Sequence, residues 1–159
     1  AGFSLSTLTL GWPIAASQSG RVYLRFGFRT TAVVGGSIGI VGTALTTLLD
    51  ADSQIWHVAA MCFVIGLGMG LIASPTLIAA QSSVEWAERG VVTSTNMFAR
   101  SLGSAVGVAV FGAIVNARVS GDPEPEQLSD AIHLVFIGVL VAAVLMTVAA
   151  VFMPKRTAR

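Results

Sequence analysis

Uncharged, largely apolar runs alternate with short charged segments along the chain. Residues 1–20, 30–49, 53–84, 101–117 and 131–154 contain no Asp, Glu, Lys or Arg. An apolar run of roughly 18 residues or more crosses about 30 Å of hydrocarbon as an α-helix. The run at 101–117 is just short, but it continues an apolar-rich stretch from Gly90 that only Arg100 interrupts. The pattern predicts five transmembrane helices, at approximately 1–19, 30–49, 55–80, 90–116 and 132–153. Loops then fall at 20–29, 50–54, 81–89 and 117–131, with a tail at 154–159. The fold class is all-α integral membrane.

Composition agrees. Only 11% of the 159 residues are charged, against about 25% in a soluble domain, too few to clothe a soluble globule. Where the charges lie sets the orientation. Arg21, Arg25 and Arg29 fall in the first loop, Arg89 in the third, and Lys155, Arg156 and Arg159 in the tail. Five helices put these segments on one side, and Lys and Arg in short loops mark the cytoplasmic face. The other side holds only Arg118 among basic residues, with Asp50, Asp52 and the acidic, proline-containing segment GDPEPEQLSD (121–130), which reads as a solvated external loop.

The net charge of +1 carries no basic stripe or aromatic platform for nucleic acid. The single cysteine, Cys62, has no internal disulfide partner and reads as a small buried side chain. His57 and His133 fall at helix ends near the external interface. The chain opens on Ala1, without a basic segment before its first apolar run, so it reads as beginning inside a longer protein rather than with a signal peptide.

Small residues recur at i, i+4 spacing: Gly35 with Gly39, Gly66 with Gly70, and Gly103 with Gly107. In lipid the drive between helices comes from close backbone approach, which small faces allow. The stretch GLGMGLIASP (66–75) adds Pro75, which removes a backbone donor and favours a kink. That interruption suits either a helix bordering a pathway or one that merely fits its neighbours. The fifth helix is apolar almost all round and reads as peripheral and lipid-facing.

Polar side chains gather in the fourth helix, where Asn96 and Arg100 share a face. Arg100 is the one charge that no loop accommodates. It is either a functional intramembrane cation or an arginine snorkelling to the head groups. Candidate pathway residues, chosen by polarity and position, are Met69, Ser74, Gln81, Asn96, Met97 and Arg100. No nucleophile elbow, metalloprotease motif or metal-ligand cluster occurs, and all eight carboxylates fall in loops. Neither an enzyme, a metal site nor an in-chain proton-coupling acid is expected.

The segment GRVYLRFGFR (20–29) resembles the cytoplasmic loop signature of the major facilitator superfamily, roughly G-x-x-x-D-R-x-G-R-R. LTLGWPIAASQSG (8–20), GLGMGLIASPTLIAAQSSV (66–84) and NMFARSLGSAVGVAVFGAIVNA (96–117) are similar to the fourteen-span drug/proton antiporters of the EmrB/QacA type. The resemblance implies that these are the last five spans of a transporter about three times longer, forming most of its C-terminal six-helix bundle. The third helix would line the central cavity, the fourth would neighbour it and the fifth would be peripheral.

Gly20, Arg25, Gly27 and Arg29 match the loop motif, where glycines permit close approach and arginines latch the cytoplasmic face. Leu24 stands where the motif has its acid, which weakens a charge-relay role. The implied function is proton-coupled efflux of drugs or other small molecules across a bacterial inner membrane by alternating access. The proton gradient would supply the energy, the missing N-terminal spans the coupling acids, and the C-terminus would be cytoplasmic. The partners would be the lipid bilayer, those spans and a small-molecule substrate. The competing expectation is a structural or regulatory membrane subunit that packs through its glycine faces and transports nothing.

Overall fold

Charge-free runs have no alternative in lipid to satisfying their backbone within helices, and helices are what form. The computed structural model describes residues 2–47, 54–118 and 125–153. It contains α1 (Gly2–Phe26), α2 (Phe28–Thr46), α3 (Ile55–Ser82), α4 (Arg89–Arg118) and α5 (Pro125–Val151), with a short 3-10 turn at Trp86–Glu88. No strand occurs among the described residues. Among the described residues, four segments can cross a membrane by length and composition: Phe28–Thr46, Ile55–Ser82, Trp86–Arg118 and Asp130–Val151. At 25 residues α1 is long enough, but its serines, threonines and Gln18 leave it without a sufficiently apolar stretch, where the sequence reading has five spans.

The helix ends differ from the sequence reading at two loops. The expected 20–29 loop is helical through Phe26, because Arg21 and Arg25 are good helix formers; charge marks an interface and does not stop a helix. The break comes at Gly27, with φ 86° and ψ 160°, a region open in practice to glycine alone. Helix α5 begins at Pro125, inside the expected 117–131 loop, since proline's fixed φ and missing N–H suit a first turn. Asp50, Asp52, Asp122, Glu124, Lys155, Arg156 and Arg159 lie outside the described residues.

Helix α3 is the axis. Residues two apart on a helix point about 200° away from each other, so Gly66 and Gly70 face one neighbour and Gly68 the other. A Cβ at Gly70 would lie 2.5 Å from the Trp12 carbonyl oxygen and 2.7 Å from Ala15 Cβ, while Gly66 meets the Leu8 carbonyl. Helix α1 therefore runs parallel to α3 at backbone contact, with Gly11, Ala15 and Ser19 as its buried stripe. Thr7 Oγ1 donates to the Ala59 carbonyl across this interface at 3.0 Å. On the opposite face, a Cβ at Gly68 would lie 2.7 Å from both the Gly35 oxygen and the Gly39 nitrogen, so α2 crosses α3 antiparallel through Gly35, Gly39 and Gly42.

Helix α5 lies against α2, with Gly36 seated on the buried Thr147. One side of α5 is thus covered by α2. Thr147 could pass for an isolated polar residue in the sequence, yet its hydroxyl donates to the Ala143 carbonyl at 2.8 Å and the side chain packs like valine. Helix α4 lies along α5 through Phe111, whose Cε1 is 2.8 Å from a Cβ built at Gly138. It carries no buried residue. Gly103 and Gly107, expected to pack, face open space: nothing lies within 4 Å of where a Cβ would sit at either position.

Candidate functional site

Helices α1, α3, α4 and α5 converge on a cavity of about 220 Å³. Its apolar wall is Met69, Ile72 and Ala73 from α3 with Met146 from α5; its polar wall is Thr76, Asn96 and Arg100, and Trp12 closes it from α1. A second cavity of about 200 Å³ shares Met69, Ile72 and Met146 with the first and continues between α2, α3 and α5. The residues common to both are thus flexible thioether and aliphatic side chains. On its other side Arg100 also lines an open groove of about 830 Å³ along α4, with Met97, Ser101 and Ser104.

The Arg100 guanidinium carbon sits 5.1 Å from the centroid of the Trp12 ring, within the range of a cation–π contact. Its position follows from packing elsewhere. Because Gly70 has no side chain, α1 can approach α3 until the Trp12 carbonyl touches it, and this brings the indole to the edge of α4. Thr76 Oγ1 donates to the carbonyls of Ile72 (2.6 Å) and Ala73 (3.1 Å), so toward the cavity it offers lone pairs rather than a proton. Pro75 beside it is fully buried within the continuous helix α3.

Of the residues picked from sequence, Met69, Asn96 and Arg100 meet at this cavity, and Met97 lies with Arg100 on the groove. Gln81 is placed elsewhere: its Nε2 donates to Thr93 Oγ1 at 2.7 Å, and Thr93 donates to the Arg89 carbonyl at 2.8 Å. It ties the α3–α4 turn together. Ser74 lines neither cavity nor the groove. Trp12, Thr76 and Met146 escaped the sequence reading. A tryptophan preceded by glycine in a serine-rich helix was the one available signal, since apolar Met146 resembles any lipid-facing residue.

The loop motif forms a corner rather than a loop. Tyr23 and Phe28 stack across Gly27 with centroids 4.9 Å apart, and Arg25 lies 5.6 Å from the Phe26 ring centroid. Gly20 has open space where a side chain would be, and Arg29 is half-buried. Among the described residues no group of three or more His, Cys, Asp or Glu could hold a metal ion. The arrangement offers an apolar enclosure with one fixed cation, one amide and a mobile wall.

A family profile described as "MFS/sugar transport protein" matches residues 3–156. Multidrug transporter protein MdtP of Bacillus subtilis (strain 168) is 32% identical over 117 residues, covering 74% of this chain and 22% of that protein. Citrate exporter 1 of Yarrowia lipolytica (strain CLIB 122 / E 150) is 30% identical over 134 residues, covering 84% of this chain and 20% of the exporter. Multidrug resistance protein 3 of B. subtilis (strain 168) is 29% identical over 115 residues, covering 72% and 22% respectively. The chain spans about a fifth of the length of these relatives. No solved structure matches it.

Proposed function

Since the chain belongs to the MFS/sugar transport protein family, we propose that it is the C-terminal part of a secondary active transporter in the fourteen-span drug/proton antiporter branch. Its work is proton-coupled efflux of drugs or other small molecules across a bacterial inner membrane. The observation that carries this is the cavity between α1, α3, α4 and α5, with Arg100 in its wall and a fourth helix that has no buried residue among those described. A finished membrane protein does not leave an intramembrane arginine and a groove of about 830 Å³ facing lipid; the remaining spans of the transporter face them. The fraction of its relatives that the chain covers supports the same view.

In alternating access one helical bundle rocks against the other around a site near the midplane. Helices α1, α2 and α3 meet at backbone contact through glycines and move as one body. Helix α4 is attached along α5, by the Gln81–Thr93 hydrogen bond and by the Arg100–Trp12 contact, so it is the element free to adjust as the cavity changes face. The coupling acids belong to the other spans, and the C-terminus is cytoplasmic.

Expression of the full-length transporter in an efflux-deficient bacterial strain tests the reading. Accumulation of at least one member of a panel of cationic, neutral and anionic dyes should fall, and a protonophore should restore it. Unchanged accumulation across the panel, or export indifferent to the protonophore, overturns it.

A further inference from the structure

We propose that Arg100 and Trp12 form the head-group station for an amphiphilic organic anion, whose apolar body occupies the paired cavities behind them; this rests on the transport reading above. The inference starts from depth. The candidate membrane-crossing segment containing Arg100 runs from Trp86 to Arg118, and Arg100 lies three to four residues before the middle of α4, about 5 Å along the axis. Trp86 stacks under Arg89 at 4.9 Å, the kind of aromatic–cation pair that marks an interface. Helix α4 itself begins at Arg89, eleven residues and about 16 Å before Arg100. An arginine side chain of ordinary reach does not bring its charge from there to the head groups.

The guanidinium has a supporting surface but no counter-charge among the described residues. Trp12 holds its plane by cation–π contact, which leaves the full positive charge and the in-plane N–H donors available. No described carboxylate comes near. Glu88 precedes Arg100 by twelve residues, about 18 Å of helix, and Asp130 precedes the cavity residue Met146 by sixteen, about 24 Å. Asn96, one turn before Arg100 on the same face, adds an amide donor. Thr76 has its proton committed to α3 carbonyls. The donors thus converge as a fork and an amide, a set matched to a carboxylate or sulfonate. Behind them lie Met69, Ile72 and Met146, and a second chamber whose lining is apolar except for Thr43, whose hydroxyl donates to the Gly39 carbonyl. A lipophilic cation would meet an unneutralised like charge in low dielectric, so the site discriminates by sign.

The test uses the full-length transporter in phosphatidylcholine vesicles with an imposed proton gradient and two aromatic probes of opposite charge, naphthalene-2-sulfonate and ethidium. The wild type is expected to move the sulfonate, and Arg100→Gln to lower that flux about tenfold or more without a matching loss of ethidium flux. Arg100→Lys should retain more sulfonate flux than the glutamine variant, because it keeps the charge and loses only the fork. Sulfonate flux unchanged in Arg100→Gln overturns the inference. So does equal loss of both probes, the mark of an arginine that pairs with a carboxylate elsewhere in the transporter.

Adding phosphatidylglycerol separates substrate from lipid. Suppression of wild-type sulfonate flux by that lipid, absent in Arg100→Gln, would assign the station to a lipid head group and overturn the inference. Ethidium moving while sulfonate does not leaves the transport reading standing and removes the anion; a wild type that moves nothing removes both. If Arg100→Gln does not insert, Trp12→Leu probes the same geometry. A sulfonate loss exceeding the ethidium loss is expected, and equal losses overturn it.

Discussion

At the scale of single residues, the glycines of α3 do more to build the cavity than the residues that line it. Gly70 is the sharpest case, because its missing Cβ sets how closely Trp12 approaches and hence where the indole meets Arg100. Gly70→Leu would drive a branched side chain into the Trp12 carbonyl and Ala15, an overpacking cost of about 1–3 kcal/mol. The expected outcome is a lower unfolding temperature of the full-length transporter in detergent, together with loss of whatever transport it performs. Gly90→Ala, at a helical site with nothing within 4 Å in this chain, is the comparison and should not lower the unfolding temperature, since alanine is the better helix former. Gly27 works through backbone instead of space. At φ 86° and ψ 160°, Gly27→Ala costs about 1–3 kcal/mol of strain unless the α1–α2 corner reopens. Faster proteolytic cleavage near residue 27 would report that reopening, and cleavage at the wild-type rate would show that the corner tolerates a side chain.

At the scale of elements, the packing of α5 on α2 hangs on one complementary pair. A methyl group at Gly36 would collide with the Thr147 hydroxyl and would sit 2.8 Å from its Cγ2 and 3.0 Å from its Cβ. Gly36→Ala alone should destabilise, whereas Gly36→Ala combined with Thr147→Ala removes the two nearest colliding atoms and should recover part of the loss. A double-mutant cycle on thermal stability is expected to show a favourable coupling of about 0.5 kcal/mol or more; strictly additive losses would mean that the two helices do not meet there. This pair also shows what the sequence could and could not disclose. The helices were legible because long uncharged runs have one stable form in lipid. Their ends were less so, because Arg21 and Arg25 are as content inside a helix as after it. Gly66–Gly70 and Gly103–Gly107 have identical spacing, yet the first pair is pressed against α1 and the second meets nothing in this chain. Spacing states that a backbone can be approached, not which neighbour approaches. For the same reason Arg100 stood out from the sequence as a misplaced charge, while Met146, apolar among apolar residues, did not.

At the scale of the whole molecule, the five helices alternate in direction, and this turns a charge count into a statement about sides. The α1–α2 corner with Arg21, Arg25 and Arg29 and the α3–α4 turn with Arg89 lie at one end of the bundle. Of the described basic residues, only Arg118 lies at the other end, while Arg100 lies within the span. Translocating four arginines costs far more than translocating one, so the arginine-rich end is expected to remain in the cytoplasm. A full-length transporter freed of native cysteines, Cys62 included, can report this directly. Ala87→Cys, exposed in the α3–α4 turn, should react with a membrane-impermeant maleimide only in inside-out vesicles, and Gln54→Cys, exposed at the start of α3, only in intact protoplasts. The reverse pattern would overturn the orientation. It would also turn the gradient around relative to the Arg100 cavity, because the groove beside α4 would then load from the opposite face. Sidedness is therefore the property on which the direction of transport depends, and two single-cysteine variants decide it.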